Sequence, residues 1–344
     1  MEICISRYNS CFPQHFATVT ASSLKELSFS SGEISVDKTV PYFPGRSDEK
    51  IMREDVKASI ITVKQMLEGL SPEFIQDMNL FVANGVFIED TSKHLQRIAE
   101  VYLQADAIHS EYEKIKNLYQ ATPPLIALQT LTNSSMSFIA QYAGIKGNNT
   151  TFGNTSHSGF YAVQKAISSI EKDVREDSMG EKGKSLVCAS NCGGVHSFLT
   201  FATFFDDTQN WKESAAVACL LFEKNNSAKN SFGRITKMKN KNIPSLNGKQ
   251  HELSWKELLD DADATDVIFS GAFTEKMYLT ELEHCQSFGK NFFSFFPEFG
   301  NLGSANILFS ICKGIELLKI SDRKKIDIFD RDPYGRECYL RMEK

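Results

Sequence analysis

The stretch Thr151-Phe152-Gly153-Asn154-Thr155-Ser156-His157-Ser158-Gly159 places hydroxyl residues and a histidine between an apolar β-rich run and a helical one. A strand that turns tightly into a helix exposes one side chain at the helix N-terminus, where unpaired backbone N–H groups favour negative charge. Nucleophiles and oxyanion sites are assembled this way. Ser156 would be that nucleophile, with His157 or His196 as its base if the fold brings either within reach. The same residues also make an ordinary helix N-cap. The G-x-S-x-G pattern of a nucleophile elbow is absent, because position 154 is Asn and position 158 is Ser. Adjacent helix residues do not face one another, so His157 is expected on the surface.

Cys188, Cys192 and His196 recur at four-residue spacing, but Ser185 to Ala189 reads as a strand and Gly193-Gly194 breaks a helix. Two cysteines without a second pair do not make a zinc site, so no metal is expected. Phe292-Phe293-Ser294-Phe295-Phe296-Pro297 could line an acyl tunnel or simply fill a core. Neither a Walker A motif nor G-x-G-x-x-G occurs, which removes the usual nucleotide readings, and no cofactor is expected. The net charge of −5 over 344 residues argues against nucleic acid, whose phosphates need a basic face. The one dense basic run, Lys237 to Asn242, reads as a solvated loop. With 42% hydrophobic and 24% charged residues the chain is long enough for a large core and excludes disordered or fibrous classes. No 18-residue apolar window predicts a membrane span, and the strand-like start at Met1 is no signal peptide. The eight cysteines are scattered in apolar surroundings, as free thiols in the cytoplasm would be.

Strands are predicted at Ile3–Ser6, Asn79–Asn84, Asn149–Phe152, Ser185–Ala189, Ala215–Phe222, Phe232–Met238, Asp266–Phe269, Lys325–Phe329 and Cys338–Met342. The Phe232–Met238 strand is expected to pair with Ala215–Phe222. Val56, Ile60, Val63, Leu67 and Leu70 mark an amphipathic helix that Ser71-Pro72 should stop. Further helices are expected through Leu95, Ile98 and Tyr102, from Pro124 to Ala143, from just after Gly159 to Ile170, at Trp255–Leu259, at Met277–Cys285 and at Asn301–Lys319. The last is apolar nearly all round and should be buried on most sides. Strands alternating with helices mean an α/β chain with largely parallel central strands.

Several segments in this order resemble one family. Thr151 to Gly159 is similar to a T-V-S-T-A-C-A-S-G nucleophile turn, preceded by a similar helix and loop, Pro124 to Gly147. Phe204-Phe205-Asp206 through Glu223 resembles a stretch from P-F-D to L-V-L-E. Phe299-Gly300-Asn301-Leu302-Gly303-Ser304-Ala305 resembles G-H-x-x-G-A-A, and Tyr334 to Met342 the terminal F-G-G-x-N-A-x-L-V-L strand. The chain thus resembles the β-ketoacyl synthases of the thiolase fold. Ile5-Ser6 to Gln14, the helix after Met52-Arg53, and Asn84 to Thr91 resemble more particularly the synthase-like proteins of aryl polyene and flexirubin clusters.

The resemblance implies a five-layered α-β-α-β-α fold of two pseudo-repeated halves, 1–225 and a shortened 226–344. It implies a cysteine and two histidines for condensation, and here those positions hold Ser156, Ser270 and Gly300. Serine ionises far less readily than a thiol and is a poor nucleophile without a base. The implied function is a non-catalytic, chain-length-factor-like subunit of a type II ketosynthase heterodimer. Chain-length factors of the family often carry Gln at the cysteine position, so Ser156 departs from that pattern too. The partners implied are an active ketosynthase subunit and an acyl carrier protein. Asn149, Thr150, Thr151 and Phe152 would pair across the dimer axis, and Met136 and Phe138 would wall the acyl tunnel. The enzyme-class alternative is an acyltransferase or hydrolase using Ser156; a condensing enzyme with other residues is a third.

Overall fold

The computed structural model describes residues 3–11, 19–20, 52–85, 100–101, 110–121, 131–153, 157–176, 183–191, 212–224, 231–242, 266–269, 271–287, 289, 291–294, 296–332 and 335–344. Its strands are β1 (Ile3–Cys11), β2 (Val19–Thr20), β3 (Asn79–Asn84), β4 (Asn149–Gly153), β5 (Lys184–Asn191), β6 (Lys212–Glu213), β7 (Ala216–Lys224), β8 (Arg234–Asn242), β9 (Asp266–Phe269), β10 (Asn291–Phe293), β11 (Lys325–Arg331) and β12 (Arg336–Glu343). Its α-helices are α1 (Glu54–Leu67), α2 (Pro72–Gln76), α3 (Glu111–Ala121), α4 (Thr132–Ala143), α5 (His157–Glu176), α6 (Glu275–Ser287), α7 (Phe296–Phe299) and α8 (Asn306–Ile320), the last preceded by a 3-10 turn, Gly303–Ala305.

Two five-stranded sheets carry the molecule, ordered β1-β7-β5-β3-β4 and β8-β12-β11-β9-β10. In the first, β5, β3 and β4 run parallel while β7 and β1 join antiparallel. In the second, β11, β9 and β10 run parallel while β12 and β8 join antiparallel. Each sheet is therefore mixed rather than largely parallel. The two repeat one plan in space and along the chain: the first strand of each set lies at one edge, the third at the other, and the fourth in the centre.

Between the sheets lie α5 and α8. Phe160, Val163, Ala166 and Ile170 of α5, and Ile307, Leu308, Ile311 and Ile315 of α8, pack on Phe81, Val187 and Leu220 of the first sheet and on Ile328 and Leu340 of the second. As its composition leads one to expect, α8 is buried on most sides, from Asn306 to Cys312 and at Gly314, Ile315 and Leu318, with Lys319 and Ile320 exposed at its end. The outer face of the first sheet, with Leu80, Val82, Leu186, Val217 and Leu221, is covered by Val56, Ile60 and Val63 of α1 and Ile139 of α4. Over the outer face of the second sheet lies α6, with Glu281 against Arg331. The layering is α-β-α-β-α. Among the described residues no helix is long and apolar enough to cross a membrane.

Several local expectations are corrected. Lys237 to Asn242 is not a loop but most of β8, whose partner is β12 rather than β7. Both edges of β7 are already taken by β1 and β5. The helix from Pro124 does not run unbroken to Ala143, because Leu131 is extended (φ −71°, ψ 118°) and α4 starts at Thr132. Helix α3 was not foreseen. Helix α5 begins at His157, before Gly159, and continues to Glu176. Ser71-Pro72 starts a helix instead of only stopping one: Ser71 Oγ accepts from the Phe74 N–H at 3.2 Å, and Pro72 takes the first position, where no N–H is needed. The segment through Leu95 and Ile98 and the one at Trp255–Leu259 lie outside the described residues.

Candidate functional site

The C-terminal ends of the parallel strands of the first sheet meet the start of α5 and the turn before α8. Gly159, in the first turn of α5, lies so close to that turn that a Cβ on it would stand 2.8 Å from Ser304 O. Ser304 Oγ donates to Ser190 O at the end of β5. Beside it Asn191 Nδ2 donates to Glu213 Oε1 at 3.0 Å and to Ser214 O at 3.2 Å. Asn301 ties three segments together. Its side-chain amide donates to Ala272 O at 3.1 Å, its Oδ1 accepts from Gly303 N at 2.7 Å, and its backbone exchanges hydrogen bonds with Lys212 and Ser214. The turns after β9 and before α8 are thereby fixed to one another.

Within this knot the predicted positions fare differently. Ser156 and Ser270 lie outside the described residues, as do Cys192 and His196. Gly300 is described and has a left-handed backbone, φ 75°. A Cβ there would stand 2.4 Å from Lys212 O and 2.6 Å from both its carbonyl carbon and its Cγ. No side chain fits at that position without displacing the strand beside it. Lys212 itself closes the preceding helix: its Nζ donates to Pro297 O at 2.8 Å and Glu298 O at 2.5 Å, satisfying carbonyls at the end of α7. Gly271, next to Ser270, is equally confined, since a Cβ would stand 2.3 Å from Arg331 Cγ.

His157 corrects the expectation of a surface residue. It is wholly buried, within reach of the charges of Asp332, Arg336 and Glu337. Its ring nitrogens make no hydrogen bond of good geometry among the described residues. Burial, the largest influence, and Arg336 hold its pKa below the ordinary histidine value, against the pull of Asp332 and of the Glu337 backbone and carboxylate. The ring is neutral at pH 7, beside those of Phe160 and Tyr161.

On the outer side of the same mouth a buried ionic bridge spans four elements. Arg53, preceding α1, grips Asp55 through Nε and Nη2, both at 2.9 Å, and reaches Ser135 Oγ of α4 at 3.2 Å. Ser190 Oγ of β5 donates to Asp55 Oδ2 at 3.1 Å, with Asn84 Oδ1 of β3 at 3.3 Å. One turn along α4, Met136 and Phe138 are half-buried against the core formed with α1. Thr150, Thr151 and Phe152 are half-buried and Asn149 is exposed on β4, which is an edge strand of the first sheet. Phe292 and Phe293 sit on the other sheet's short edge strand, Phe293 exposed. Cys188 lies in β5 with its thiol 3.2 Å from that of Cys219 on β7. Among the described residues no group of three His, Cys, Asp or Glu side chains is placed to hold a metal ion. Lys212, Asn301 and the Arg53–Asp55 bridge carry no sequence signature, because each acts through partners far along the chain.

The sequence matches no family model and no curated protein. Solved structures do match along the whole chain. The ishigamide ketosynthase/chain length factor superimposes with a TM-score of 0.70 at 13% identity, covering 100% of this chain and 99% of that one. AntDE:AntF, a type II polyketide synthase acyl-carrier protein in complex with its ketosynthase bound to the hexaketide, gives 0.68 at 14% identity, with 99% of each chain covered. A β-ketoacyl synthase from Burkholderia phymatum STM815 gives 0.68 at 12% identity, covering 100% and 99%. The chain has the thiolase-like fold of the β-ketoacyl synthases. The knot around Asn301 lies where the central helices α5 and α8 begin.

Proposed function

We propose that this chain is a non-catalytic, chain-length-factor-like subunit that pairs with an active type II ketosynthase and shapes its acyl pocket. The observation that carries the reading is Gly300: the position that resembles a catalytic histidine has no room for any side chain beyond the backbone. Ser156 and Ser270 add no thiol and no imidazole at the other two positions. Condensation needs a thiolate to hold the acyl chain and imidazoles to stabilise the enolate, and none of the three resembling positions supplies one.

The partners in this reading are the ketosynthase, met through β4, and an acyl carrier protein. Two of the similar structures, one named as a ketosynthase/chain length factor and one as a carrier protein bound to its ketosynthase, favour those partner kinds. Met136 and Phe138 on α4 are the proposed wall of the acyl channel, where each buried CH₂ is worth about 0.8 kcal/mol. The halves 1–225 and 226–344, a place in aryl polyene-type biosynthesis and a cytoplasmic setting belong to the same proposal. Incubation with an acyl-carrier thioester followed by intact mass measurement is expected to give no adduct. A stoichiometric adduct lost in Ser156→Ala would instead support the acyltransferase reading. That second reading is favoured by one observation, the neutral buried imidazole of His157 beside Asp332 at the start of α5.

A further inference from the structure

Cys188 of β5 and Cys219 of β7 stand directly opposite one another in the antiparallel ladder of the first sheet. Residues so placed bring their Cα atoms to about 4.5–5.5 Å, inside the range of about 4.4–6.8 Å that a disulfide spans. Both side chains join the cluster on the sheet's outer face, and the Cys219 thiol donates to Cys188 Sγ at 3.2 Å. A bridge needs the sulfurs to close to about 2.05 Å, a small movement that rotation about χ1 supplies. Cys4 and Cys312, also buried, instead direct their thiols at the backbone carbonyls of Glu223 and Asn9.

The pair lies beneath α1. Leu186, Val217 and Leu221, the neighbours two places along either strand, pack in one cluster with Val56, Ile60 and Val63 of that helix. Both cysteines are fully buried, so an oxidant reaches them only when α1 lifts. The position also bears on the candidate site. Two residues beyond Cys188, Ser190 donates to Asp55 of α1 and accepts from Ser304 before α8. A covalent tie at Cys188 would hold that end of β5 in place.

We propose that Cys188 and Cys219 are a redox modification site: a cross-strand dithiol, gated by α1, that a small disulfide oxidant converts into a bridge between β5 and β7. One thiol gives up its proton, and its sulfur attacks the oxidant's disulfide, releasing one thiol and leaving a mixed disulfide. The facing cysteine loses its proton in turn, and its sulfur attacks the bonded cysteine sulfur and releases the second thiol. Two electrons and two protons pass from the pair to the oxidant, which becomes two thiols. Because the sulfurs already face each other, the second step is intramolecular and the mixed disulfide does not accumulate. An excess of small thiol runs the same steps backwards. The inference needs only β5, β7 and α1, and does not depend on the acyl-channel reading.

The test uses the full chain, reduced and then exposed to hydroxyethyl disulfide without denaturant. Remaining thiols are blocked with N-ethylmaleimide in denaturant, and the chain is digested without reduction. The expected product is a peptide pair joined through Cys188 and Cys219, about 2 Da lighter than the two reduced peptides together. It should be absent in Cys188→Ser and Cys219→Ser. Ile60→Ala, which loosens α1, should form it several-fold faster. The bridged chain should unfold at a higher denaturant concentration than the reduced one and lose that gain on adding dithiothreitol. Two blocked cysteines after exposure without denaturant, a bridge that forms only in unfolding denaturant, or a bridge that lowers the unfolding midpoint would each overturn the proposal. An unchanged rate in Ile60→Ala would overturn the gating by α1. Should the serine variants not fold, the joined peptide of the wild type decides, because it identifies both cysteines.

Discussion

The two sheets share strand order, direction and chain sequence, yet they are held together by different forces. The outer face of the first is hydrocarbon: Leu80, Val82, Leu186, Val217 and Leu221 under α1 and α4. The corresponding face of the second is ionic. Asp327 stands opposite Arg341, Phe329 opposite Tyr339 and Arg331 opposite Glu337. Asp327 Oδ1 accepts from Arg341 Nε at 2.9 Å and from Tyr339 Oη at 2.7 Å. The edges differ in the same sense. β8 carries Lys237, Lys239 and Lys241 at every second residue, and β10 is only three residues long. β1 gives part of its outer edge to the segment before β8, through Ile5 N to Gly233 O and Phe232 N to Ile5 O. Among the described residues β4, like the shorter β10, has neither a charged residue of its own nor a strand paired along its outer side. One topology can thus be stabilised by burial alone or by matched charge, and the edge that lacks a device against pairing is the one suited to a partner.

Removing one member of an ionic row should do the most damage. Arg341→Met leaves Asp327 buried without its cation and is expected to cost about 3–5 kcal/mol in denaturant unfolding. Leu221→Ala, on the hydrocarbon face, is expected to cost about 2–5 kcal/mol through its cavity. The informative variant is the double replacement Asp327→Leu with Arg341→Met. Removing both charges is expected to recover most of the loss. A double variant as unstable as Arg341→Met alone would mean that the second face needs its charges for geometry and not merely for neutrality.

The pH profile should separate the sheets next. A carboxyl raised in the folded state stabilises fully below its unfolded value near 4.5, and that contribution is lost as pH rises through about 8. Thermal unfolding of wild type should therefore weaken between about pH 5 and pH 8 by a few kcal/mol more than that of Glu281→Gln. The lowered pKa of His157 acts the other way: its contribution is present above pH 6.5 and lost as the solution becomes more acidic. With Glu281 replaced, only that acid-side loss should remain. Coincident wild-type and Glu281→Gln profiles would show that Arg331 keeps Glu281 ionised.

What the sequence disclosed follows the same division. The first sheet was legible because burial writes itself into composition: Asn79–Asn84 is a continuous apolar run, and its strand limits match the predicted ones. The second was harder, because charge pairing is invisible until partners meet. Phe232–Met238 reads as a strand, but the end of β8, Lys237–Asn242, reads as a solvated basic loop, since its lysines alternate with Met238 and two asparagines. The burial of His157 could not be read from its neighbours in the chain, since the groups that act on it, Asp332, Arg336 and Glu337, come from far along the sequence. The Gly300 site was half legible. The resemblance singled out Gly300, but the Lys212 backbone and stem that crowd it come from another segment. The start of α4 differs for a local reason, the extended backbone at Leu131 immediately before Thr132, which no residue type there announces.

The smallest effect on folding, and the sharpest on assembly, should come from exchanging the edges. Asn149→Lys with Thr151→Lys gives β4 the every-second-residue lysines of β8. An edge strand pairs through its backbone, and two lysines there must either lose water or hold the partner off, so pairing should fail. The two positions stand opposite Leu80 and Val82, at the margin of the hydrocarbon face where Asn149 is exposed and Thr151 half-buried, so unfolding free energy should move by about 1–2 kcal/mol, less than at the fully buried Leu221. Association of the wild type, with itself or with a candidate ketosynthase, should be visible in size-exclusion chromatography and absent in the variant. The converse exchange, Lys239→Thr with Lys241→Thr, removes the charges from β8 while leaving its pairing with β12. That variant should keep its stability within about 0.5 kcal/mol but self-associate as concentration rises. If lysines on β4 leave assembly intact, the uncharged edge is not the interface, and the difference between the two edges has no bearing on partners.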